Sequence, residues 1–162
     1  ITPFIVNNIY KLASFFVVEF FESDKITPIN AQNHIILCGY STLGRIVAKQ
    51  LEDKEQEFVI ISDDLRHVLL AQKRGYKAYF GHLNKTPVLE SLKVDEASSI
   101  IITVHSFDSK RLICESLLSF KEDINIIVKI DTVEEKKKLR DLPIKSFVLA
   151  QHEVAELLVQ KA

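Results

Sequence analysis

The chain has 162 residues, enough for one domain with a real core and a small appendage. Its formal net charge is −1 and it carries no long basic run, which argues against nucleic acid as a partner. Its 2 cysteines, Cys38 and Cys114, make no disulfide framework, and both fall in apolar stretches suited to reduced, buried thiols.

The sequence starts at Ile1 and contains no methionine. It is therefore expected to be a piece of a longer protein or a matured product. No basic n-region marks a signal peptide at its start. Residues 1–33 differ in character from the rest. From Leu12 to Phe21 only Ser14 and Glu19 interrupt an apolar run. That run falls short of the ~20 apolar residues a membrane span needs. A helix lying on a membrane, a partner subunit or its own domain is expected there. The polar stretch that follows, with Pro28 in it, reads as a linker.

From His34 onward, β-branched runs alternate with helical stretches. Strands are expected at 34–38, 57–62, 76–80, 99–104, 124–130 and 146–150. Helices are expected at 43–54, 65–75, 86–92, 109–120, 133–142 and 152–162. Gly75 supplies a helix stop, and Thr86 with Pro87 a helix start. Several strands are apolar on both sides, the mark of a parallel sheet covered on both faces. The alternation predicts an α/β fold: a Rossmann-like, doubly wound, parallel six-stranded sheet of order 3-2-1-4-5-6, preceded by the N-terminal helical and linker segment. The last helix has an apolar stripe, Val154, Leu157 and Leu158, that serves either the core or a dimer face.

The first strand runs into Gly39-Tyr40-Ser41-Thr42-Leu43-Gly44 and then a helix. Backbone N–H groups at such a helix start lack intrahelical partners, and the helix dipole adds positive potential, so a phosphate suits the place. Gly39 permits a tight turn and Gly44 lets the helix pack close to the strand. Ser41 stands where a third glycine usually admits the pyrophosphate. Its hydroxyl, with that of Thr42, offers donors to a phosphate oxygen. A plain tight turn is the competing reading.

An acid that holds the ribose hydroxyls is expected at the end of strand two. Ser62 occupies that place, with Asp63 and Asp64 directly after it. Asp64 fits equally as a cap for the next helix. After strand three, Gly81, His82 and Leu83 lie at the carboxyl edge of the sheet, where an adenine can rest. Thr103, Val104 and His105 end strand four and flank the same crevice. No catalytic residue and no metal ligand set is evident. Short-chain reductases need a Tyr-x-x-x-Lys pair, and Tyr10, Tyr40, Tyr76 and Tyr79 are followed four residues later by Ser14, Gly44, Phe80 and Leu83.

Taken together, "HIILCGYSTLGR", "VIISDD" and "GYKAYFGHLNKTPVLESLKVDEASSIIIT" resemble the regulator-of-potassium-conductance domain, also called TrkA-N, over residues 34–150. In that family a Gly-Asp-Ala-Thr-like turn is followed by a "LLxxAGIxxAxxVIxxT" pattern. The start, "ITPFIVNNIYKLA", resembles the segment leaving the last transmembrane helix of Kef-type potassium/proton antiporters. The resemblance implies two parts, a segment 1–33 that follows a membrane domain and a nucleotide-binding domain 34–162. It implies a regulatory, non-enzymatic module at the cytoplasmic face of the inner membrane. This module would form a homodimer, bind an adenine nucleotide (AMP, ADP, ATP or NAD(H)) and gate the antiporter domain of the same chain.

Carried over by position, Gly39 to Gly44 fall on the phosphate turn, Ser62 and Asp64 on the ribose acids, Gly81 to Leu83 on the adenine turn, and Thr103 on the end of strand four. Ser41, Ser62 and His82 each replace a residue usual in the family, which weighs toward a mononucleotide such as AMP. A ligand-free assembly module is the alternative, and an NAD(P)-dependent oxidoreductase a more distant one.

Overall fold

The computed structural model describes residues 28–162. The expected helix within 1–33, and half of the expected linker, lie outside the described residues.

Six parallel strands form one sheet: β1 Ile35–Cys38, β2 Phe58–Ser62, β3 Ala78–Phe80, β4 Ser99–Ile102, β5 Ile126–Ile130 and β6 Ser146–Leu149. Their order is β3-β2-β1-β4-β5-β6, as expected. The helices are α1 Thr42–Asp53, α2 Leu65–Lys73, α3 Thr86–Ser91, α4 Phe107–Phe120, α5 Val133–Lys138 and α6 Ala150–Lys161, with a short 3₁₀ turn at Val94–Glu96. No helix among the described residues is long and apolar enough to cross a membrane.

The alternation of side chains along each strand sorts the core into two layers. Ile36 and Cys38 of β1, Val59 and Ile61 of β2, and Ile100 and Ile102 of β4 face one side. There they pack with Val88 and Leu89 of α3 and with Ile113, Cys114 and Leu117 of α4. Leu37 and Ile60 face the other side and pack with Ala48 of α1 and with Val68 and Ala71 of α2. Tyr40 joins this second layer and meets Tyr76 edge-on, with ring centroids 6.3 Å apart. The chain enters beside α3, where Ile29 N–H donates to Ser91 O at 3.0 Å and Ile29 and Ala31 are buried.

Element ends differ from expectation where local chemistry decides. Helix α4 starts at Phe107 rather than 109, because the Ser106 hydroxyl accepts from Ser109 N–H and caps the turn. Helix α5 stops at Lys138 rather than 142. Arg140 N–H turns back to Lys137 O, and Pro143 disfavours helical backbone in the residue before it. Helix α6 settles one open question. Val154, Leu157 and Leu158 are 55%, 55% and 66% exposed, so the stripe is no part of the core formed by the described residues.

The order places β1 between β2 and β4, and its residue Cys38 pairs with Ile61 on one side and Ile102 on the other. The chain leaves β1 toward β2 and leaves β4 in the opposite direction toward β5. A crevice opens at the carboxyl ends of β1 and β4, the switch point of the sheet.

Candidate functional site

A cavity of about 310 Å³ occupies that crevice. This lies at the lower end of the range for small-molecule sites. Four loops line it, one from each of the strands β3, β2, β1 and β4.

The β1–α1 turn forms the floor through Cys38, Gly39, Tyr40 and Ser41. Gly39 has φ +104°, a region that side chains strongly disfavour, and a Cβ there would stand 2.6 Å from Thr103 Oγ1. A Cβ on Gly44 would collide with the Gly39 carbonyl. Both glycines are thus required by close packing of strand, turn and helix. The first intrahelical bond of α1 runs from Arg45 N–H to Ser41 O, so the amides before Arg45 precede the helical ladder. The Ser41 side chain makes no capping bond and α1 has no acidic residue in its first turn. A start with neither hydroxyl cap nor carboxylate keeps its positive end for an anion. The cavity also shows that Ser41 does not close the entrance. The residues present therefore fit the phosphate of a nucleotide.

Thr103 is buried at 1% exposure and does not line the cavity. Its N–H and its hydroxyl both donate to Cys38 O, at 2.9 and 3.0 Å. It holds the turn from beneath. Thr42, Leu43 and Gly44 also lie outside the lining, and the Tyr40 ring is buried in the second core layer although Tyr40 borders the cavity.

The β2 end contributes Ser62, Asp63, Asp64 and His67. Ser62 is buried, and its hydroxyl accepts from Asp64 N–H at 3.1 Å. Asp64 caps α2 by accepting from Arg66 N–H at 2.9 Å and binds the Arg66 guanidinium at 2.8 Å. The Arg66 side-chain hydrogen bonds hold the Asp64 carboxyl down at about 2. Of its two open roles, capping is the one its contacts occupy. Asp63 is exposed and faces His82 of the β3 loop at 3.9 Å across the mouth. Gly81, Leu83 and Asn84 complete that side.

The β4 end contributes Val104, His105 and Ser106. His105 leads to a network that no local sequence signal reveals. Its Nδ1 lies 3.1 Å from Lys129 Nζ, and Lys129 donates to Asp131 Oδ1 at 2.7 Å. Lys110, fully buried, donates to Asp131 Oδ2 at 3.2 Å and to Glu135 Oε2 at 2.9 Å. Burial pushes the Asp131 carboxyl up, but the bonds from Lys129 and Lys110 outweigh it and the net direction is down. The one clue in sequence is a lysine inside the apolar run "INIIVKI". His67 and Asn84 were equally unmarked, although His67 stands one helical turn after the Asp64 cap.

No lysine or arginine lines the cavity among the described residues, which instead places two carboxylates and three histidines around it. Cys38 borders the cavity, but its thiol is buried in the first core layer and is pushed up to about 12 by burial and by the charge of Asp63. No cluster of three or more His, Cys, Asp or Glu suited to a metal occurs among the described residues.

Comparison with known proteins agrees with the fold. The family model of the TrkA-N domain matches residues 35–150. Potassium channel protein 1 of Methanocaldococcus jannaschii is 25% identical over 163 residues, covering 92% of this chain and 48% of its own. The putative cation/proton antiporter YbaL of Escherichia coli is 22% identical over 142 residues, covering 88% of this chain and 25% of its own. The chain thus spans about half and a quarter of these two relatives. The crystal structure of the YbaL TrkA-N domain superposes with a TM-score of 0.74 at 20% identity, covering 82% of this chain and 98% of that one. The GsuK channel bound to NAD superposes at 0.68 with 24% identity, covering 91% of this chain and 27% of that one. Domains of this kind are regulatory rather than catalytic. The chain belongs to the TrkA-N domain family.

Proposed function

We infer that this domain binds an adenine nucleotide (AMP, ADP, ATP or NAD(H)) in the crevice between β1 and β4, and that binding gates monovalent cation transport by a membrane domain of the same parent chain. The observation that carries this is the uncapped start of α1 over an open cavity floored at Gly39, in a turn whose two glycines, Gly39 and Gly44, admit no side chain. In this reading Tyr40 and Ser41 bring backbone amides to the phosphate, while Gly39, whose N–H donates to Ile61 O at 3.0 Å, makes the turn that presents them. Ser62 and Asp63 stand where ribose hydroxyls lie, and Gly81, His82 and Leu83 border the base. The GsuK channel has been solved with NAD and with ADP, which supports the ligand class. The likeness to YbaL, an inner membrane protein described as a cation/proton antiporter, supports a place at the cytoplasmic face of that membrane.

Regulation would proceed by population shift: ligand binds one arrangement of a homodimer better and so biases the attached transporter. The exposed apolar side chains of α6 support a second copy as partner.

Thermal unfolding in the presence of each nucleotide tests the reading, since a ligand selective for the native state raises stability. A rise in midpoint with at least one of AMP, ADP, ATP, NAD and NADH is expected. No shift with any of the five would instead favour a ligand-free assembly module.

A further inference from the structure

We propose that His105, fixed in one tautomer by Lys129, donates a hydrogen bond to a second phosphate of the ligand, so that the cleft prefers adenosine ligands with two linked phosphoryl groups over a monophosphate. This rests on the nucleotide reading above and adds to it the length of the ligand's anionic part.

The sheet order sets the geometry. Reading across β3-β2-β1-β4, the base and ribose loops come from β3 and β2, and the amides of the α1 start come from β1. A monophosphate held at the α1 start ends there. The next place along the cavity is the β4 end, where Val104 and His105 form the wall. A second phosphoryl group, terminal in ADP or bridging in NAD, extends over that end.

His105 is suited to receive it. An ammonium has three donors and no acceptor, so the Nδ1 that Lys129 Nζ approaches at 3.1 Å is the accepting nitrogen. The neutral ring then keeps its proton on Nε2, which leaves an N–H donor on the far edge from Lys129. Lys129 is 93% buried by its 7% exposure, which keeps it from the ligand itself, and it acts as a positioning residue. Lys110, Lys129, Asp131 and Glu135 together balance two cations against two carboxylates, and the member of this set that touches His105 is a cation. Lys129 thus favours an anion beyond the ring. No lysine or arginine lines the cavity among the described residues, so this donor, beside Ser106 and Ser109 at the same end, is a side-chain means of recognising a second phosphate.

Two measurements test the proposal on the intact chain. Long-range ¹H–¹⁵N correlation spectra of the nucleotide-free protein should show His105 as the Nε2–H tautomer, and the Nδ1–H tautomer would overturn the fixed-donor argument. Calorimetry should show ADP and NAD binding about tenfold more tightly than AMP. His105→Phe should remove that preference and leave AMP affinity within about twofold. His105→Gln, which keeps an N–H donor, should restore part of it. Loss confined to ADP assigns a terminal phosphate, and loss for both ADP and NAD assigns the second phosphate in either setting. An unchanged ADP-to-AMP ratio in His105→Phe, with wild-type binding intact, overturns the inference alone. Failure of the wild type to bind any of the three overturns the underlying nucleotide reading and the inference with it.

Discussion

The Thr103 hydroxyl donates to the Cys38 carbonyl at 3.0 Å, and the same oxygen stands 2.6 Å from the place a Cβ on Gly39 would take. One side chain directly after β4 thereby fixes the end of β1 and dictates that the next residue be glycine. The cleft floor follows from this contact, since Gly39 then turns the chain into α1.

Removing that contact should loosen the turn without emptying the core. Thr103→Val keeps the shape and deletes the hydroxyl, leaving Thr103 N–H on Cys38 O; a loss of about 1 kcal/mol is expected in urea unfolding. Gly39→Ala adds both the strain of a positive φ and the collision with Thr103, so a larger loss of about 2 kcal/mol or more is expected. Equal losses would show that the steric contact does not set the turn.

The Asp64 cap gives a pH signature. Its carboxyl is held down at about 2 in the folded protein, against an ordinary value near 3.8. A lowered carboxylate contributes stability that is present in full above the unfolded value and is lost as pH falls through the folded one. Asp64→Ala should cost about 1 kcal/mol at pH 7, and the gap from wild type should close between pH 4 and pH 2. Asp64→Asn keeps the cap and should cost less. Urea titrations across that range provide the check. Arg66 is largely exposed, so Arg66→Ala should change stability by well under 1 kcal/mol.

The two thiols should resist alkylation in the native state. Cys38 and Cys114 are both buried, and burial first of all pushes each up to about 12, so neither supplies thiolate near neutral pH. Mass spectrometry after brief iodoacetamide treatment should find no label in the folded protein and two labels after denaturation. A nucleotide that fills the cavity should not alter the result, because Cys38 is already shielded.

Self-association should depend on α6. Val154, Leu157, Leu158 and Val159 are exposed on a helix with no buried residue of its own. If this face covers a second copy, Leu157→Glu with Leu158→Glu should shift sedimentation toward monomer while leaving the unfolding midpoint of the monomeric domain within a few degrees. A dimer unaffected by both changes would place the contact elsewhere.

The sequence makes the sheet order legible because β1, β2, β4 and β5 are apolar runs too short for helices, spaced by helical stretches, and parallel sheets leave few ways to connect them. The phosphate turn is legible for the same reason: Gly39 and Gly44 stand where the first strand gives way to the first helix. Other features depend on partners far along the chain. Thr103 reads as a cleft residue until its hydroxyl is seen bonded to Cys38, 65 positions away in sequence. His105 looks isolated until Lys129 is brought beside it by the pairing of β4 with β5. The α6 stripe has the period of a core helix, and only the fold reveals that it stays exposed among the described residues.

Isothermal titration of the purified chain with AMP, ADP and NAD, repeated on Gly39→Ala, tests the central claim most directly. Saturable binding of one nucleotide per chain by the wild type is expected, weakened at least tenfold in the variant, whose turn can no longer bring its amides to the phosphate. Undetectable binding by a folded wild type, or equal affinity in a folded variant, would contradict a phosphate seat at the start of α1.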